Sequence, residues 1–141
     1  MRTTTLLPLT LSILLISCGM NVPRPIKTAC GAEKKRTLEL ISAMLIRDGY
    51  TISFSSADAG TIQAEYAEGA GLFSDGGKRQ VSIQVDRDTV VMNYRTMSRY
   101  NGSESVQTFD LENAHGETLG IVQALIDGVR GACTANPLNQ R

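Results

Sequence analysis

The stretch Arg47-Asp48-Gly49-Tyr50-Thr51-Ile52-Ser53-Phe54-Ser55-Ser56-Ala57-Asp58-Ala59-Gly60-Thr61-Ile62-Gln63-Ala64-Glu65-Tyr66 changes its hydrophobic period within a few residues and thereby decides the fold class. Before Gly49, the apolar residues Leu38, Ile41, Met44 and Leu45 recur at helical spacing while Lys35 and Glu39 lie on the opposite face. A helix is therefore predicted over Ala32 to Arg47, with Gly49 as its stop. After Gly49 the period is two. Tyr50, Ile52 and Phe54 alternate with Thr51, Ser53 and Ser55, which predicts a strand with its apolar residues on one face. Ala57-Asp58-Ala59-Gly60 reads as a turn, and Ile62, Ala64 and Tyr66 then alternate with Thr61, Gln63 and Glu65 in a second strand.

Working outward, Val81, Ile83 and Val85 alternate with Gln80, Ser82 and Gln84, and Asp86-Arg87-Asp88 marks the next turn. A fourth strand over about Thr89 to Met97 sets Val90, Met92 and Tyr94 against Asn93 and Arg95, so one sheet face is apolar and the other polar. A second helix is expected from near Asp110, a good N-cap, carrying Ala114, Ile121, Val122, Leu125, Ile126 and Val129 up to Gly131. Gly116, Gly120 and Gly128 lower its propensity by up to about 1 kcal/mol each unless close packing uses their small size. The expected fold class is α+β, a two-layer helix, four-stranded antiparallel meander, helix, with both helices on one sheet face. A length of 141 residues suits one such domain, placed at 29–134, with 135–141 as a loose tail.

The start of the chain has a different character. Arg2 gives a short positive region, and Leu6 through Ile16 form an apolar stretch interrupted by Pro8, Thr10 and Ser12. That is the length of a signal-peptide core, short of the roughly 20 apolar residues a membrane span needs. It ends in Leu15-Ile16-Ser17-Cys18, which resembles the lipobox of bacterial lipoproteins, where a small residue precedes the cysteine that is acylated and becomes residue one. The resemblance implies a signal peptide over 1–17, lipidation of Cys18 and an extended tether over 18–28. Gly19, in place of an aspartate after the cysteine, resembles lipoproteins passed to the outer membrane, so the expected location is the periplasmic face of that membrane. The alternative is an ordinary secretory signal with an incidental cysteine; either reading exports the chain.

Of three cysteines, lipid on Cys18 leaves Cys30 and Cys133, a disulfide candidate in an oxidising compartment. With helix one running one way, four successive antiparallel strands make helix two return the other way, so an even strand number brings both thiols to one end and a fifth strand would set them a helix length apart. On that parity a fifth strand, considered at Ser105 to Asp110, is not expected. The tether would then lie at the cysteine end, with the loop Gly69 to Lys78 and the segment Ser98 to Thr108 at the other.

The element order, together with Arg47-Asp48-Gly49-Tyr50-Thr51-Ile52 and Asp58-Ala59-Gly60-Thr61-Ile62-Gln63-Ala64, is similar to the small helix-grip domains of outer-membrane lipoproteins, one of which is the lipoprotein C subunit of the β-barrel assembly machine. The likeness covers Ala29 to Cys133, and this chain has one domain where that subunit has two. It implies a noncatalytic module that helps assemble or brace an envelope complex.

The residues offer little chemistry. Fourteen basic and fourteen acidic side chains are interspersed, which disfavours nucleic acid as a partner. His115 is the single histidine and sits in no recognisable motif. The run Gly69 to Lys78 fails the phosphate-loop spacing because Leu72 stands where a glycine is needed, so no nucleotide is expected. Asp86 and Asp88 lack the further ligands of a calcium loop. No catalytic set, cofactor or metal is expected. The partner expectations are a membrane, through the lipid, and an envelope protein. Candidate contacts are Leu72 and Phe73 in the glycine-rich loop, and Gln63, Glu65, Gln84 and Arg95 on the polar sheet face. The alternative function is a binding module for a small lipid or glycan in a helix–sheet cleft.

Overall fold

The computed structural model describes residues 23–69 and 76–135. In chain order its elements are β1 (Ile26–Ala29), α1 (Lys34–Arg47), β2 (Thr51–Ser56), β3 (Thr61–Glu68), β4 (Gly77–Val85), β5 (Thr89–Tyr100), β6 (Ser103–Phe109) and α2 (Gly116–Thr134). All strand pairs are antiparallel; the sheet runs β1-β5-β4-β3-β2, and β6 also pairs with β5.

This overturns the expected four-stranded helix-grip arrangement, because the sheet has six strands. The first extra strand, β6, follows a two-residue turn in which Asn101 (φ 49°) and Gly102 (φ 76°) are both left-handed, the geometry that lets a tight hairpin match the twist of its strands. The second, β1, takes its first three residues from the segment expected to be tether. Its Ile26 is buried and opposes Met92, so apolar burial draws the chain onto the sheet once the two prolines are passed. Both short strands occupy the same edge of β5. β1 opposes residues Thr89 to Met92 and β6 opposes Tyr94 to Tyr100, so one twelve-residue strand holds two partners end to end.

The parity inference fails for the same reason. It assumed full-length strands, whereas β6 ends halfway along β5, with Phe109 opposite Tyr94. The segment between β6 and α2 carries the chain off the edge, and α2 starts low: Glu117 meets Arg79, whose strand partner is Thr96. From there α2 runs to Cys133 beside Cys30, and the backbone N–H of Cys30 donates to the Asp88 carbonyl at the start of β5 (2.8 Å). The second helix also starts later than expected, at Gly116, and Asp110 instead closes the turn before it.

The helices and the inner sheet face share one core. Cross-strand rows Ala64–Val81–Tyr94 and Ile62–Ile83–Met92 are buried, and Ile41 and Leu45 of α1 with Val122, Ile126 and Val129 of α2 complete the core. The first helix ends as its sequence dictates. Gly49 (φ 88°) takes the left-handed position, its N–H donates to the Ile46 carbonyl, and the Tyr50 N–H donates back to Leu45. Buried Leu45 and Tyr50 supply the apolar contact that accompanies this C-terminal cap. In α2, Gly128 faces Met44 so closely that an added methyl group would lie 2.0 Å from its sulfur; there the small residue is used for helix–helix contact.

One strand departs from strict alternation. In β2, Ile52 opposes Ala64 and the next paired residue, Phe54, opposes Gln63, so a β-bulge takes up Ser53. The expected line Tyr50, Ile52, Phe54 on the core face is therefore broken. Ile52 stays inward, and Phe54 turns to the polar face, where it is 50% exposed.

Candidate functional site

The polar side chains of β3, β4 and β5 stand in rows set by the strand register. Glu65, Gln80 and Arg95 form one row, in which Gln80 Nε2 donates to Glu65 Oε1 (2.6 Å) and Arg95 Nε donates to Gln80 Oε1. Lys78 Nζ also donates to Glu65 (3.1 Å), and this bond, then that from Gln80, holds the Glu65 carboxyl below the usual range. Nearer the cysteine end, Thr61 Oγ1 donates to Gln84 Oε1 (2.7 Å), and Gln84 Nε2 donates to the Ala59 carbonyl (2.7 Å). Of the four sheet-face candidates, Glu65 and Arg95 are thus joined through Gln80, Gln84 belongs to a separate cluster, and Gln63 stands between them in a row with Ser82 and Asn93. A depression of about 320 Å³ opens over that middle row, bounded by Gln63, Gln80, Ser82, Asn93, Arg95 and Thr108. Gln80, the hub, carries no signature in the sequence beyond its polar place in the alternation.

Cys30 and Cys133 form the expected disulfide, their Cα atoms 4.7 Å apart across a separation of 103 residues. Cys18, Leu72 and Phe73 lie outside the described residues.

Asp110 is a feature the sequence placed in the wrong role. Its carboxylate accepts backbone N–H groups from Arg24 (Oδ2, 2.9 Å), Glu112 and Asn113 (both Oδ1, 2.9 Å). The bond from Arg24 first, and then that from Asn113, holds its pKa below the ordinary aspartate value. Arg24 precedes β1 and Asp110 follows β6, so this residue fastens the two short strands where they meet on the β5 edge. Residues 24–26 therefore lie at that seam, halfway along β5, and not at the cysteine end where the tether was expected.

A second cluster missed in the sequence lies on the inner face near the start of α2. Arg79 is bonded to Glu68, reaches Glu117 (3.4 Å) and lies 5.2 Å over the Tyr66 ring. The buried hydroxyls of Tyr50 and Tyr94 have no partner among the described residues. Burial raises both phenols, Tyr94 to about 12, so each stays protonated at neutral pH.

His115 is exposed at the cap position of α2 and makes no side-chain cap bond. Asp86 Oδ1 accepts the Arg87 N–H and Asp88 Oδ1 accepts the Thr89 hydroxyl, as in a hairpin turn. Among the described residues no group of three His, Cys, Asp or Glu side chains is placed to hold a metal ion, and no helix is long and apolar enough to cross a membrane.

No family model matches the chain, and no curated protein matches it. Among solved structures, the crystal structure of a DUF4468 family protein from Bacteroides ovatus superposes with a TM-score of 0.50 at 11% identity, over 84% of this chain and 88% of that one. At that identity the likeness speaks for the fold alone.

Proposed function

We propose that the protein is a lipid-anchored, noncatalytic interaction module of the bacterial envelope, held at the periplasmic face of the outer membrane through Cys18. The carrying observation is one of cysteine arithmetic. With Cys30 and Cys133 joined, Cys18 is the odd cysteine, and it directly follows Leu15-Ile16-Ser17 at the end of an apolar leader. A disulfide belongs to an oxidising compartment, which an exported chain reaches. Multiple acyl chains on one cysteine, at about 0.8 kcal/mol per buried methylene, make a lasting anchor.

The noncatalytic part of the reading rests on the titratable groups. His115 stands alone in solvent, the buried phenols are held protonated, and Glu65, Glu68, Arg79 and Arg95 are engaged with one another or with Gln80. The interface between helices and sheet is filled by Ile41, Leu45, Ile83 and Ile126, each at most 2% exposed, so a ligand cleft there has no observation in its favour.

Metabolic labelling with a tritiated fatty acid in the native host tests the anchor. Label is expected on the wild-type chain and absent from Cys18→Ser, which should leave the membrane fraction. Equal membrane recovery of an unlabelled wild-type chain would overturn the reading.

A further inference from the structure

We infer that the outer face of the sheet is a binding site for a neutral glycan, which lies across the strands along the row Phe54–Gln63–Ser82–Asn93. The inference starts from the bulge in β2. Without it, Phe54 would continue the inward line of Tyr50 and Ile52; with it, the ring stands half-exposed on the polar face, in register with Gln63. The same register continues through Ser82 to Asn93, so four consecutive strands present a ring, an amide, a hydroxyl and an amide in one line. With neighbouring strands about 4.8 Å apart, the line is about 14 Å long. That is the scale of a short oligosaccharide, and the 320 Å³ depression opens over the Gln63, Ser82 and Asn93 part of the row and on towards Thr108, with Phe54 beyond its rim.

The charge pattern selects the ligand class. Beside the row, Glu65 is neutralised by Lys78 and bonded to Gln80, and Arg95 Nε is held by the neutral Gln80 amide oxygen. A polyanionic partner would find one unneutralised charge there, Arg95, and a cationic partner would find none, so a predominantly neutral ligand suits the face. The side chains of Gln63, Ser82 and Asn93 make no hydrogen bond to another described residue, so they stand ready with neutral donors and acceptors. Beside them is one apolar disc. A sugar ring has the complementary form, an apolar face to lie on Phe54 and hydroxyl or acetamido groups at its rim to meet the amides. A protein partner would favour several clustered aromatic or Arg anchors in desolvated pockets over a single ring followed by amides. The site lies opposite the helices and does not need the lipid. A chain without an acyl group would still bind, so failure here and failure of the anchor are separate results.

The test is an amide chemical-shift titration of the full chain with chitotetraose and, separately, cellotetraose, which lacks the acetamido groups. Saturable shifts are expected at Phe54, Gln63, Ser82 and Asn93, with affinity about tenfold weaker in Phe54→Ala and retained in Phe54→Tyr, which keeps a ring. Asn93→Ala, also at an exposed position, should weaken binding while the amide shifts of the free protein away from position 93 and its strand neighbours stay in place. No saturable binding of either sugar, binding unchanged by Phe54→Ala, or shifts confined to another surface would each overturn the inference. So would a photocrosslinker at position 93 that captures a protein in cells while neither sugar binds.

Discussion

The inner and outer faces of the sheet are made by the same strands and obey different rules. Inside, Ile62, Ile83 and Met92 meet the helices with no polar choice to make, and the tolerance for change is small. Outside, Thr61 with Gln84 and Glu65 with Gln80 and Arg95 are held by hydrogen bonds that water can replace. The contrast teaches where stability resides and where binding is free to evolve. A face that contributes little to folding can carry a row such as Phe54–Gln63–Ser82–Asn93 without endangering the fold.

Perturbations should rank accordingly. Removing the Cys30–Cys133 bridge, as Cys30→Ser with Cys133→Ser, has the largest expected effect. For a loop of about 100 residues the chain-entropy model gives up to ~4.7 kcal/mol, read as a fall in the urea midpoint. Next comes the inner face: Ile83→Ala, at a fully buried position, should cost about 2–5 kcal/mol through lost transfer energy and the cavity left behind. A loss below about 1 kcal/mol would show that the inner face is not the close-packed layer described here.

The seam between β1 and β6 belongs to neither face and supplies the pH dependence. Asp110 has a depressed pKa in the folded state, so its contribution is fully present above the ordinary aspartate value and is lost as pH falls through the depressed one. Asp110→Asn should lower stability at neutral pH and remove this acid-side loss, measured by urea unfolding across pH. An unchanged profile would mean that the carboxylate does not fasten the two strands. The smallest effect is expected outside: Gln84→Ala, exposed and bonded to Thr61 and the Ala59 carbonyl, should stay within about 0.5 kcal/mol by thermal unfolding. A cost near that of Ile83→Ala would erase the distinction between the faces.

The same contrast explains what the sequence disclosed. Inner-face strands alternate strictly because burial forces them to, so β3, β4 and the first part of β5 are legible residue by residue, as are the end of α1 at Gly49 and the pairing of Cys30 with Cys133. β6 is announced by Asn101-Gly102, a strong short-range hairpin mark that the expectation of four strands did not take into account. β1 had none, since four residues after two prolines become a strand only through tertiary pairing with β5. Phe54 was misplaced because a bulge consumes one residue without changing composition. Asp110 has the side chain of a helix cap, and local preference cannot tell a helix start from a turn that also offers N–H groups. The outer-face rows depend on register across strands, which alternation within one strand does not fix.

Whether lipid on Cys18 holds the protein to the membrane can be read from the intact mass of the mature protein purified from its native host. The expected species begins at Cys18, carries acyl mass and shows the mass deficit of one disulfide. A mature chain that begins at another residue and carries no acyl group would contradict the anchor.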